Sequence, residues 1–341
     1  MLGEAMFKEA MFYEKLKDKQ VQCHLCSHHC VIKEGKRGIC GVRENVDGTL
    51  HSLVYGRLIS AAIDPIEKKP LFHFLPGSQA YSVATVGCNF RCLNCQNYEI
   101  SQMPKPDKPI LGNEVSPKQI VDAAKRHRCE SIAYTYTEPT IFYEYAYETA
   151  KLASKQGIKN VFVTNGYIAE EPLRTIAPYL DAANVDLKSF SDEFHRKVCG
   201  ARLKPVLEAI KLYHELGIWI EITTLVITGM NDSEQEFKNI AQFIKEIDNG
   251  IPWHVSRFFP HYMLMSTPPT PVETLNMARK IGLDAELKHV YQGNLPGEGE
   301  NTYCPSCGRL LIQRYGYNIT RNNIKNGQCS FCNTPINGVW Q

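Results

Sequence analysis

The amino-acid sequence predicts an α/β protein built from repeated strand–helix units, and three observations carry that prediction. From about residue 80 to residue 291, segments of strand periodicity alternate with segments of helical periodicity. Polar residues gather at the C-terminal ends of those strands. Eleven of the thirteen cysteines fall into three tight groups with ligand-like spacing, one inside the repeat and one towards each end. Repeated βα units require right-handed crossovers and a parallel sheet, which leaves a barrel or an open doubly wound sheet.

The elements follow in order. A helix is expected from about residue 4 to 18, where apolar and charged residues recur at helical spacing. Tyr81–Val86 is apolar and β-branched, with the length of a buried strand. Ser116 to His127 reads as a helix, followed by strand Ser131–Tyr136; a helix near 141–156 is followed by strand Asn160–Thr164, and a short helix near 170 by strand Ala183–Leu187. A helix near 204–216 precedes strand Ile218–Ile227, and Asn231-Asp-Ser-Glu-Gln offers a cap for a helix reaching Ile247. Strand Trp253–Phe259, one more helix and strand Leu287–Tyr291 complete the series.

The chemistry centres on Gly87-Cys88-Asn89-Phe90-Arg91-Cys92-Leu93-Asn94-Cys95-Gln96-Asn97, a loop at the C-terminal end of the first of these strands. A four-iron cluster or a structural zinc normally takes four protein ligands, so three thiols with no near fourth suggest an open coordination position; the plainer reading is a zinc knuckle or redox pair borrowing a distant ligand. Thr137-Glu138-Pro139-Thr140, Thr164-Asn165-Gly166, Asp186-Leu187-Lys188-Ser189 and His261 fall at later strand ends, on the edge where barrels and open α/β sheets place their ligands. Each has a plainer reading as a helix cap or a solvated loop residue.

Cys23, Cys26, Cys30 and Cys40, at C-x2-C-x3-C-x9-C, suit a zinc or rubredoxin-like iron site or a second four-iron cluster, with His24, His28 and His29 as spare ligands. Cys304, Cys307, Cys329 and Cys332 have zinc-ribbon spacing, and a segment of about forty residues needs such a staple because its own apolar burial is too small. That segment carries Arg309, Arg314, Arg321 and Lys325, which suit RNA or simply offset thiolate charge. The lysines of Asp64-Pro-Ile-Glu-Lys-Lys-Pro-Leu-Phe-His-Phe read as a solvated turn or as an anion site, and Cys129 and Cys199 as isolated buried thiols. A formal net charge of +2 gives no global sign of nucleic-acid or membrane binding. The first residues lack a signal-peptide core and no run reaches the ~18 apolar residues of a membrane span, so a cytoplasmic location with no membrane partner is expected.

The C-x3-C-x2-C triad resembles that of radical SAM enzymes. Together with Cys23 to Arg43, Asp64 to Phe74, Thr135 to Thr140, Thr164 to Gly166, Asp186 to Lys188, Trp253 to Phe259 and Tyr291-Gln-Gly-Asn294, the chain resembles the radical SAM enzymes of the AmmeMemoRadiSam system, a branch similar to pyruvate formate-lyase activating enzymes. The resemblance implies a partial (β/α)6 TIM-like barrel over residues 80–295, a four-cysteine region with an N-terminal helix over 1–79 and a zinc-ribbon-like module over 296–341. It implies that Cys88, Cys92 and Cys95 hold a [4Fe-4S] cluster and that S-adenosylmethionine (SAM) chelates the fourth iron. Glu138 would contact the SAM amino group, where the family has a glycine-glycine-glutamate motif and this chain has Tyr136 and Thr137 for the glycines. Asn165 would approach the ribose, Asp186 and Lys188 the methionyl group, and His261 the same rim. Asn94 stands where such triads carry an aromatic residue, so adenine would be met by an amide or by Tyr98. The implied reaction is reductive cleavage of SAM to a 5'-deoxyadenosyl radical that abstracts hydrogen from a glycyl-radical protein or another macromolecule, protein or RNA. A ferredoxin- or flavodoxin-type donor supplies the electron, and the other proteins of the system are candidate partners. The competing expectation is a metal-rich RNA- or protein-binding module with an inactive barrel.

Overall fold

A computed structural model describes residues 8–105 and 108–340. The chain divides into two compact units, residues 1–63, 80–91 and 97–181 in the first and residues 64–79, 92–96 and 182–341 in the second.

In the first unit, β1 (Gln79–Ala84), β2 (Ser131–Tyr134) and β3 (Lys159–Thr164) form a parallel ladder in that order. Between them run α1 (Pro117–Arg126) and α2 (Tyr143–Ser154), and α3 (Glu170–Ile176) follows β3. The start of α1 shows why the sequence folds there: Ser116 Oγ accepts from the Gln119 amide, Gln119 Oε1 accepts from the Ser116 amide, and Pro117 sits at the first helical position, where a missing N–H costs nothing. All four residues of β2 are buried, as expected of a strand covered on both faces.

The expected N-terminal helix is absent over the described part of its range; residues 1–7 lie outside the described residues. Lys8–Glu9 pairs antiparallel with Ser52 and His51, and Tyr13–Lys15 pairs with Val21–Cys23. Phe12, Asp18 and Lys19 all have φ near +55°, which no helix tolerates, and ladder pairing to the cysteine-bearing hairpin overrides the local helical pattern.

The second unit carries β4 (Ala182–Asp186), β5 (Trp219–Val226), β6 (Trp253–Arg257) and β7 (Val290–Gly293), again parallel and in order. Its helices are α4 (Leu203–Glu215), α5 (Glu234–Ile247) and α6 (Val272–Asp284), with Ser233 Oγ capping α5 through the Glu236 amide. β7 begins three residues later than expected because Leu287 belongs to the exit of α6. Its amide bonds to the Gly282 carbonyl and Glu286 stands at φ 70°, a Schellman-type stop.

The C-terminal strands Thr302–Tyr303, Leu310–Tyr315 and Asn318–Asn322 form a small antiparallel sheet around Cys304, Leu311, Ile312, Cys329 and Ile336. This ribbon is fastened beneath β5–β7 by a buried polar cluster. Both oxygens of Glu221 are used: they accept from the Phe72 and His73 amides at 3.0 and 2.7 Å, from His254 Nε2 at 2.7 Å and from Trp219 Nε1 at 3.2 Å. Arg314 donates to the carbonyls of Phe72 and Glu300 and to Thr302, and lies 4.2 Å over the Phe72 ring. It is therefore a buried tie and is withdrawn from any RNA-binding set. In the Asp64–Phe74 segment each oxygen of Asp64 takes one lysine at 2.7 Å, and Lys69 is buried. Lys69 is thereby taken up inside the protein, whereas Lys68 stays at the solvated surface of the turn.

Replacing Glu221 with Ala should cost on the order of 3–5 kcal/mol, because three buried donors and the half-buried Trp219 indole lose their acceptor together. Urea denaturation followed by tryptophan fluorescence checks this; a midpoint unchanged from wild type would contradict it.

Candidate active site and metal centres

Cys88 lies just beyond β1 in the first unit. Gly87 precedes it at φ 99°, and a Cβ there would meet Val42 Cγ1 at 2.7 Å and the Cys40 carbonyl oxygen at 2.9 Å, so the loop and the N-terminal cysteine region touch where only glycine fits. The Phe90 amide points at Cys88 Sγ at 3.4 Å, and Asn165 Nδ2 donates to Asn89 Oδ1 at 2.7 Å with Cys88 Sγ 3.9 Å away. The Asn165 amide in turn donates to Glu138 Oε2 at 2.8 Å.

Glu138 is buried, and its Oε1 accepts from the Thr140 amide and hydroxyl and from the Thr164 hydroxyl at 3.0, 2.6 and 2.7 Å. Burial pushes its carboxyl up while these donors oppose the shift. A carboxylate offers about four lone-pair sites, two per oxygen, so acceptor capacity remains on Oε2. Tyr136 stands in the left-handed region that favours glycine: its φ is 63°, and its carbonyl accepts from Asn97 Nδ2 at 2.7 Å.

Cys92 and Cys95 belong to the second unit, where the segment 92–96 is clamped from two sides. The Leu93 amide bonds to the Val198 carbonyl and the Met263 amide to the Leu93 carbonyl, both at 3.0 Å, and His261 Nε2 lies 3.2 Å from the Gln96 carbonyl. His261 thus sits on the cysteine loop itself. Asn94 is buried.

Cys199, expected to be an isolated thiol, is hydrogen-bonded to Cys92. It is fully buried at the end of a π-helical turn, His195–Cys199, closed by Gly200 at φ 70°. The bond from Cys199 holds the Cys92 thiol below its ordinary value and, with burial, pushes Cys199 itself well up. Lys188 and Asp186 form an ion pair at 2.7 Å beside these thiols. Burial would lower Lys188, but Asp186, Cys92 and Cys199 outweigh it and raise its pKa above the ordinary lysine value. No spacing signal pointed to Cys199, because its partner is more than a hundred residues away.

In the first unit the N-terminal thiols influence one another. Burial pushes Cys40 up to about 11 and Cys26 above the usual thiol range, with neighbouring thiols adding to both. His28 Nε2 contacts the Asn89 carbonyl at 2.8 Å and its ring lies 4.8 Å from Tyr167. Arg91 donates to the carbonyls of Cys88 and Ile39, joining the two cysteine regions a second time.

The C-terminal thiols all lie within 4.8 Å of one another, with Sγ–Sγ separations of 3.6 Å for Cys304–Cys332 and 3.8 Å for Cys307–Cys329. Zinc–sulfur bonds of about 2.3 Å give a tetrahedral edge of about 3.8 Å, so the quartet fits one ion. The Thr334 hydroxyl brings Cys332 down to about 6, towards the thiolate that ligation needs. Among the described residues this is the group of thiols drawn in to that spacing. No helix among the described residues is long and apolar enough to cross a membrane.

A profile of the radical SAM superfamily matches residues 82–244. An uncharacterised protein of Methanocaldococcus jannaschii is 51% identical over 336 residues, covering 97% of this chain and 99% of its own. A pyruvate formate-lyase-activating enzyme of Clostridium pasteurianum is 21% identical over 210 residues, covering 60% of this chain and 80% of its own. Among solved structures, a radical SAM methyltransferase from Sphaerobacter thermophilus aligns with TM-score 0.51 at 16% identity, over 70% of this chain and 71% of its own. Streptococcus suis SuiB bound to the precursor peptide SuiA aligns with TM-score 0.51 at 15% identity, over 68% and 51%. The fold is the α/β partial barrel of these proteins, with a cysteine-rich C-terminal module.

Metal at the C-terminal quartet should hold the ribbon folded, since structural zinc contributes on the order of 10–16 kcal/mol in finger peptides. Stripping it with a chelator, or making Cys304→Ser with Cys329→Ser, is expected to open residues 302–340 to limited proteolysis. Unchanged protection in metal-free protein would refute this.

Proposed function

Because the chain belongs to the radical SAM superfamily, we propose that Cys88, Cys92 and Cys95 hold a [4Fe-4S] cluster and that the protein is an enzyme that cleaves SAM there. Bound together, cluster and SAM supply one chemistry: a one-electron reduction from a ferredoxin- or flavodoxin-type donor releases methionine and a 5'-deoxyadenosyl radical that takes a hydrogen atom from the substrate.

The residues fit such a group. Ligation needs thiolates, and Cys92 is already held low by Cys199. The observation that carries the reading is the Asp186–Lys188 pair beside Cys92. A sulfonium amino acid presents an ammonium and a carboxylate, and the pair offers one partner to each. Glu138, with acceptor capacity left on Oε2, would take the SAM amino group, and Asn165, whose Nδ2 lies 3.9 Å from Cys88 Sγ, would approach the ribose. His261, fixed to the loop at Gln96, would line the same rim, and buried Asn94 would offer adenine an amide in place of an aromatic face.

A macromolecular substrate is proposed, a glycyl-radical protein or another protein first and RNA second, in line with relatives whose names describe activation of an enzyme. The likeness of the flanking motifs to the AmmeMemoRadiSam branch supports the other proteins of that system as partners. Zinc is proposed for the C-terminal quartet and a cytoplasmic location for the whole. The inactive-barrel reading loses ground because Arg314 is spent inside the protein.

Anaerobically reconstituted protein given SAM and dithionite is expected to yield 5'-deoxyadenosine and methionine, and Cys92→Ala none above background. Lys188→Ala should raise the SAM concentration needed for half-maximal cleavage at least about tenfold, the equivalent of ~1.4 kcal/mol. An iron-loaded wild type that leaves SAM intact would defeat the reading.

A further inference from the structure

The N-terminal quartet has a neighbour that spacing does not reveal. Arg43 is 2% exposed, and only its Nη2 is paired, donating at 2.7 Å to both the Met11 carbonyl and Glu144 Oε1. Its Nε and Nη1 are buried without a hydrogen-bond partner among the described residues. After Glu144, the groups whose charges act on it are the thiols of Cys23, Cys40 and Cys26. A buried guanidinium with two idle donors is costly unless something absent from the polypeptide accepts from them.

A single ion in a thiolate cage adds no acceptor beyond the thiolates themselves, whereas an iron–sulfur cluster brings inorganic sulfides that also accept hydrogen bonds. Among the described residues, the thiols drawn within 4.8 Å of one another, the spacing of a single-ion site, are those of the C-terminal quartet. We infer that Cys23, Cys26, Cys30 and Cys40 hold a second iron–sulfur cluster whose sulfides accept from Arg43.

Its place in the fold gives it a use. The Cys40 carbonyl is packed onto Gly87, whose neighbour is Cys88, and Arg91 donates to both Ile39 and Cys88. One electron taken from a low-potential iron–sulfur or flavin donor protein can therefore pass on to the cluster at Cys88, the N-terminal cluster returning to its oxidised state. This second step rests on the radical SAM reading; the cluster itself does not.

The test uses the full chain with Cys88, Cys92 and Cys95 all changed to Ala, reconstituted anaerobically with ferrous iron and sulfide. About four irons and about four acid-labile sulfides per chain are expected, with an EPR signal after dithionite reduction. Both should vanish on adding Cys26→Ser and Cys40→Ser. Arg43→Leu should move the reduction potential to more negative values and Arg43→Lys should recover part of the shift, a readout that a purely structural arginine would not change. Zinc at the N-terminal site, or one iron without labile sulfide, overturns the assignment, as does a metal-free site. In the wild type, the reduced EPR spectrum should show coupling absent from the sum of the two single-cluster variants; simple additivity overturns the relay. Failure of SAM cleavage with N-terminal iron intact would count against the function proposed above and leave this cluster standing.

Discussion

The buried carboxylate of Glu138 is the constraint on which the first unit's rim depends. Two strand ends, β2 and β3, bring the Thr140 and Thr164 hydroxyls and the Thr140 and Asn165 amides to one side chain. A carboxylate out of water is tolerated only when hydrogen-bonded this fully, so the loops are held in one arrangement by the cost of any other. Asn165 extends that order to the cysteine loop, since the residue whose amide is fixed by Glu138 spends its side chain on Asn89 beside Cys88. The second unit reaches an equivalent result by electrostatics, with Lys188 and the Cys199 thiol around Cys92.

Much of the fold was legible because local signals and tertiary needs agree. The Ser116–Gln119 box, the Ser233 cap and the runs of buried β-branched residues each specify their element within a few neighbours. The N-terminal segment was misread for the opposite reason. Its apolar residues carry helical spacing, but its hydrogen bonds lie with distant residues, the Met11 amide reaching Glu144 133 positions on, and Phe12 in the left-handed region has no sequence signature. The late start of β7 was hidden in the same way by a helix stop at Glu286 that lacks glycine.

Of the site, the metal-ligand spacings and strand-end polar residues could be read directly, because ligation fixes residue type and short separation. Cys199, Arg43 and the retirement of Arg314 could not. Each depends on a side chain meeting a partner from a distant part of the chain, and burial that depends on long-range packing leaves no periodic trace. The same limit explains Tyr136. A bulky residue was expected to mark a departure from the glycine motif, yet the backbone there adopts the conformation for which glycine is usually chosen.

The ribbon's attachment bears on how the chain is made. His73 Nδ1 meets the Asn337 carbonyl, and the Leu75 amide and His73 carbonyl pair with Val339 in a short bridge. These partners are separated by 264 residues, so the segment leading into β1 is synthesised early but cannot complete its hydrogen bonds until residues 337–339 have left the ribosome. Until then the Phe72–Leu75 backbone is an open edge. A stretch made 264 residues later closes it.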